Sequence, residues 1–142
     1  MSMESFIVFE YEKAKFWTKE GVLFCEFNNR DIHHKLTSGQ VERYIEIIKE
    51  LTNGQIMPFL IDIRNSFGNF TIKAAELFAN SPYLKSIRLS EAFVINSINS
   101  KLSISSYKRL FEPKTPFQFF DNLDSALEYC LQSKDNYYGT RF

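Results

Sequence analysis

The residues able to do chemistry are few and dispersed. Asp62 is the single charge in the apolar run Phe59-Leu-Ile-Asp-Ile63, and a carboxylate on a covered strand has its pKa raised towards the range of a general base. Arg64 follows two residues later on the same face of an extended strand, so an Asp62–Arg64 pair with a structural role is the simpler expectation. Ser66 and Thr71 supply the hydroxyls of the polar turn Arg64-Asn-Ser-Phe-Gly-Asn-Phe-Thr71. Gly68 stands alone there, with neither the lysine motif of a phosphate loop nor the spaced glycines of a dinucleotide fold. His33 and His34, neighbours on an extended segment, point to opposite faces and are badly placed to share a metal. Cys25 and Cys130 each sit in an apolar pattern and read as buried free thiols, and no nucleophile motif surrounds either. Lys101, Lys108, Arg109 and Lys114, with Tyr107 and Phe111 among them, read as a solvated helix face. No catalytic constellation emerges from these positions, so a non-enzymatic protein without metal or cofactor is expected.

The totals narrow the partners. Seventeen basic and 17 acidic side chains give a formal charge of zero, so no net field draws the chain to nucleic acid or to an anionic membrane. No apolar run approaches the length that spans a bilayer, and Met1-Ser-Met-Glu-Ser lacks the basic start of a secretory signal. A cytoplasmic protein without stable membrane insertion follows as the expectation. Fifteen phenylalanines among 142 residues imply either a bulky core or a surface that holds a partner.

The elements that must position these groups follow from periodicity. Residues 6–11, 14–17 and 22–27 read as an antiparallel meander, with Lys19-Glu-Gly21 as a hairpin turn. Residues 32–36 add a short extended segment. Thr37-Ser-Gly-Gln40 has the form of a capping box. Val41, Tyr44, Ile45, Ile48 and Leu51 then recur at helical spacing until Asn53-Gly54 ends the helix. The central strand runs from Met57, and a helix starts near Thr71 and ends before Ser81-Pro82. Residues 92–95 form a second buried strand, 98–111 a helix carrying Ile98, Leu102 and Leu110, and 117–120 a short strand. Asp121-Asn122 caps a last helix with the stripe Leu123, Ala126, Leu127, Cys130 and Leu131. After the hairpin, strands alternate with helices, which predicts an α/β domain with a mostly parallel sheet and right-handed crossovers. One domain over residues 1–135 and a C-terminal tail over 136–142 are expected.

At this level the chain resembles the STAS and anti-sigma-factor-antagonist (SpoIIAA-like) group, and more closely the uncharacterised bacterial proteins described as STAS/SEC14-like. The resemblance runs from about Gly21 to Leu131 and rests on Pro58-Phe-Leu-Ile-Asp-Ile-Arg64, Thr71-Ile-Lys-Ala-Ala75, Glu91-Ala-Phe-Val-Ile-Asn-Ser97 and Pro116-Phe-Gln-Phe-Phe-Asp-Asn-Leu-Asp-Ser-Ala-Leu-Glu-Tyr129. It implies a mostly parallel sheet with an N-terminal antiparallel hairpin and about four helices. By resemblance the domain is a regulatory module, possible as a homodimer, that binds a partner protein or a small apolar or nucleotide ligand. In the STAS regulators a serine or threonine in an Asp-Ser-Ser/Thr-Gly turn after the central strand is phosphorylated. Here that turn lacks the motif, and Ser66 and Thr71 are the hydroxyls left for such a switch. The alternative, a small apolar ligand or lipid domain, predicts an apolar cavity near Phe67, Phe70 and the helix over 98–111. Asp62, Arg64, Phe67, Gly68 and Phe70 are the candidate partner or ligand positions.

Overall fold

In a computed structural model, which describes residues 7–139, the meander is β1 (Phe9–Tyr11), β2 (Ala14–Lys19) and β3 (Val22–Asn29). Lys19 pairs with Val22, leaving Glu20 and Gly21 as a two-residue loop. Both have positive φ, 55° and 73°, the backbone a right-handed hairpin twist requires and the reason glycine stands there. A two-residue strand, β4 (Lys35–Leu36), leads into helix α1 (Ser38–Thr52). The expected capping box is present, with Thr37 accepting from the Gln40 N–H and Gln40 accepting from the Thr37 N–H. Asn53, in the left-handed region, ends the helix.

Next come β5 (Met57–Ser66), β6 (Asn69–Phe70), α2 (Ile72–Asn80) and α3 (Pro82–Ile87). Then follow β7 (Arg88–Val94), α4 (Ile98–Phe111), β8 (Phe117–Phe120) and α5 (Leu123–Tyr138). Six strands form one sheet in the order β1-β2-β3-β5-β7-β8, antiparallel as far as β3 and parallel from β3 onward. The small β4 and β6 pair separately and in parallel.

Alternation along β5 divides the molecule into two layers of packing. Phe59 and Ile61 face α1 to α3, in a core with Phe16, Leu23, Tyr44 and Leu84. Leu60 faces the other way, with Val22, Ala92 and Val94, against Ala126 and Cys130 of α5. Helix α5 is the cover of that second face among the described residues.

Four features depart from the sequence expectation. Helix α3 is a fifth helix, because Ser81 caps the end of α2 and the start of α3, and Pro82 occupies the first helical turn, where its missing N–H costs nothing. Strand β7 begins at Arg88, four residues earlier than expected, because its polar first half is buried rather than flanking. The last helix runs to Tyr138, so the first part of the expected tail is helical, and the Tyr138 hydroxyl donates to the Ile56 carbonyl at 2.5 Å; residues 140–142 lie outside the described residues. Leu123 of the expected apolar stripe is 44% exposed.

Thr71 caps α2, its Oγ1 accepting from the Ala74 N–H at 3.1 Å. Thr71→Ala is expected to lower stability by about 1 kcal/mol, read as a shift of the urea midpoint with an unchanged slope.

A cavity at the carboxyl ends of the parallel strands

Gly68 explains how the turn after β5 is held. A Cβ there would lie 2.5 Å from Asn29 Nδ2 and 2.6 Å from the His34 carbonyl oxygen, closer than real Cβ contacts come, so only glycine lets the two loops meet. The Phe67 N–H donates to the Asn29 carbonyl at 2.8 Å, Asn69 to His34 at 2.9 Å and Thr71 to Leu36 at 3.0 Å. The turn is therefore stitched to the loop after β3 rather than free.

This stitched pair of loops roofs one end of a cavity of about 580 Å³. Its floor is the α1-to-α3 side of the sheet, where Phe16, Cys25, Phe59, Ile61 and Phe93 project. Tyr44 and Ile48 of α1 and Ala75 and Phe78 of α2 form one wall, and Ser100, Ser103, Ile104 and Tyr107 of α4 form another. Phe70 and Tyr107 meet edge to face, 6.0 Å between centroids, across the seam between the turn and α4. The expected apolar cavity near Phe67, Phe70 and residues 98–111 is thus found where the alternative reading put it.

The candidate residues do not all share this space. Ser66, Phe67, Gly68 and Phe70 line the cavity, as does the half-buried His34. Asp62 and Arg64 are not among its lining residues, because alternation along β5 turns them to the opposite face from Ile61 and Ile63. There both Asp62 oxygens are taken. Oδ1 accepts from the Arg64 backbone N–H at 3.1 Å and from its Nε at 3.0 Å, and Oδ2 accepts from Nη2 at 2.9 Å. His33 is exposed, and among the described residues no group of three His, Cys, Asp or Glu could hold a metal.

A buried ionic cluster beside the cavity escaped the sequence reading. Lys108, expected on a solvated face, is 2% exposed and donates from Nζ to Glu91 Oε1 and Glu112 Oε1. Glu112 also accepts from the Thr115 hydroxyl at 2.6 Å, and Arg88 lies 3.7 Å from both carboxylates. The inward turn of Lys108 has a converse: Ile98, Leu102 and Leu110 of the same helix are 73%, 62% and 68% exposed. Burial pushes the Glu91 carboxyl up against the pull of Lys108 and Arg88. For Glu112 burial also pushes up, but hydrogen bonds from Lys108 and Thr115 outweigh it and hold the carboxyl below its ordinary value. The signal that could have found the cluster is Lys108 and Glu112 four residues apart on one helix, opposite a glutamate that opens an apolar strand.

Burial also raises both thiols, Cys25 far above its ordinary value and Cys130 to about 12. Both are free. Raised folded-state values mean that the folded chain keeps these protons after the unfolded chain has released them. Their contribution is therefore fully present below about pH 9 and is lost as pH rises beyond it. The urea midpoint is expected to hold between about pH 7 and pH 8 and to fall between about pH 9 and pH 10. In a Cys25→Ala, Cys130→Ala double variant the midpoint starts lower and falls less steeply.

A model of the family described as Domain of unknown function (DUF7793) matches residues 16–134. Among solved structures, the chain is similar to an uncharacterised DUF3478-family protein with a SpoIIAA-like fold from Shewanella loihica PV-4, at 15% identity and a TM-score of 0.55. The match covers 92% of this chain and 98% of that one. No curated protein matches. The sheet order and this similarity make the fold SpoIIAA-like, and among the described residues no helix is long and apolar enough to cross a membrane.

Proposed function

We propose, for a chain that belongs to the DUF7793 family, that it is a non-enzymatic binding domain whose ligand is a small apolar molecule held beneath α4. The observation that carries this reading is the cavity itself. Its volume of about 580 Å³ falls within the range of about 300–1,000 Å³ usual for ligand sites, its walls are mainly aromatic and aliphatic, and it extends along the sheet face to the carboxyl ends of parallel strands, the edge where α/β sheets bind ligands. Asp62, the acid considered as a base, is occupied by Arg64, which supports a role without catalysis. Two free buried thiols accord with a cytoplasmic setting.

Native mass spectrometry of the protein purified from its own cells, set against the denatured mass, tests the reading. A small-molecule mass that is lost on denaturation, and is lost from an Ile104→Trp variant that fills the cavity, is the expected result. A bare chain that also fails to take up apolar probes in vitro would refute it.

A second reading, a regulatory module acting through a protein partner or as a homodimer, draws on the exposed Ile98, Leu102 and Leu110. An apolar helix face of this kind marks interaction surfaces. On this reading light scattering gives a dimeric mass that Leu102→Glu returns to the monomer, and Ser66 and Thr71 remain the positions for a phosphorylation switch.

A further inference from the structure

Helix α4 is the wall of the cavity with the least to hold it. Of its 14 residues, Lys108 is the one that is buried, whereas α1, one residue longer, buries Val41, Tyr44, Ile45, Ile47, Ile48 and Thr52. None of residues 98–107 is buried. Ile98 and Leu102 look outward, while Ser100, Ser103, Ile104 and Tyr107 line the cavity, so the inner side of this stretch faces the cavity in place of a packed layer. Intrinsic propensity does not make up the difference. Residues 98–107 include four serines, an asparagine, two isoleucines and a tyrosine, which are middling to poor helix formers, and a helix this short is marginal in water without packing. Ser97 caps its start, accepting from the Ser100 N–H at 3.1 Å, which favours the helix but does not fasten it to the sheet. Among its fastenings are the edge-to-face contact of Tyr107 with Phe70 and the Lys101 ammonium 5.8 Å from the centre of the Phe119 ring. One ring pair and one exposed cation over a ring are weak beside six buried side chains. The firm anchor comes after the stretch, where Lys108 donates to Glu91 and Glu112.

We propose that residues 98–107 are a cover that the ligand itself fixes. Low burial and poor propensity together mark the segments of a fold that open first, and here the segment opens about the Lys108 anchor. An apolar body in the cavity supplies the inner side of α4, at Ile104 and Tyr107, with the apolar contacts that the rest of the chain does not. A ligand stabilises the state it binds, so occupancy of the cavity and the order of α4 are one equilibrium. This inference rests on the apolar-ligand reading and adds to it how the site is entered and how its occupancy is registered.

The test is hydrogen exchange read by mass spectrometry on the full chain, alone and with naphthalene or 1-octanol, the binding of each probe being measured separately by ligand-observed NMR. In the chain alone, the amides of residues 102–107 are expected to exchange about tenfold or more faster than those of residues 42–52 in α1. With a probe at about ten times its Kd, exchange of residues 102–107 through openings that expel it should slow about tenfold. Residues 102–107 as protected as residues 42–52 in the chain alone would overturn the cover and leave the cavity reading intact. Fast exchange that persists with a probe bound would do the same. If neither probe binds, this inference and the apolar-ligand reading fall together.

Discussion

Lys108→Met is expected to lower the stability of the fold by about 3–5 kcal/mol, the cost of breaking a buried ion pair from one side. Methionine fills much the same volume, so little of the loss is packing. What remains is the pair Glu91 and Glu112, both buried, without the ammonium that donates to each and with only Arg88 at 3.7 Å. Such a loss is a large part of the stability of an ordinary domain, about 5–15 kcal/mol. The control is a triple variant, Lys108→Met with Glu91→Gln and Glu112→Gln, which removes the uncompensated charges. It should recover a substantial part of the loss. Urea unfolding of the three proteins, wild type included, measures this, and a single variant within about 1 kcal/mol of wild type would mean that the cluster is hydrated rather than buried.

The second large effect comes from a pair of truncations on neighbouring residues of β5. Leu60 is 1% exposed and packs against α5 in the closed layer. Leu60→Ala should cost near the top of the range of about 2–5 kcal/mol, because a hole opened there has rigid neighbours on all sides. Ile61 lines the cavity, so its outer atoms already lack part of the packing that the interior supplies. Ile61→Ala should cost about 2 kcal/mol or less. The ordering is the discriminating result. Equal losses would show that the space beneath α4 is filled by protein in solution.

How far these features could be read beforehand depends on whether their cause is local. Helix α1 was legible because its cap, its stripe and its terminator are all within its own residues: Thr37 with Gln40, Val41 to Leu51, and Asn53. The central strand and the parallel order were legible because a continuous apolar run and alternating element types leave few topologies. Helix α3 was missed because a proline that ends one helix is also a good first residue of the next. The first half of β7 and the inner face of α4 were missed for a deeper reason. Arg88, Glu91 and Lys108 are buried because they meet one another across the fold, and hydropathy patterning assigns each of them to solvent. Helix α4 accordingly presents Ile98, Leu102 and Leu110 outward, the reverse of what its pattern suggests. Of the candidate site, the cavity's position was legible from the polar turn at the strand ends and the aromatic content. The buried ionic cluster of Arg88, Glu91, Lys108 and Glu112 was not.

The arrangement of α5 bears on how the chain reaches this state. Helix α5 follows, in chain order, every strand whose apolar side it shields. As the polypeptide is made, Val22, Leu60, Ala92 and Val94 must all be synthesised before their shield exists. The sheet therefore passes through a period in which one side is greasy and bare, the condition in which partly folded chains associate with one another. Completion of the domain is held back to its final helix, and an interruption of synthesis before that helix leaves a species with an adhesive face rather than a smaller stable fold.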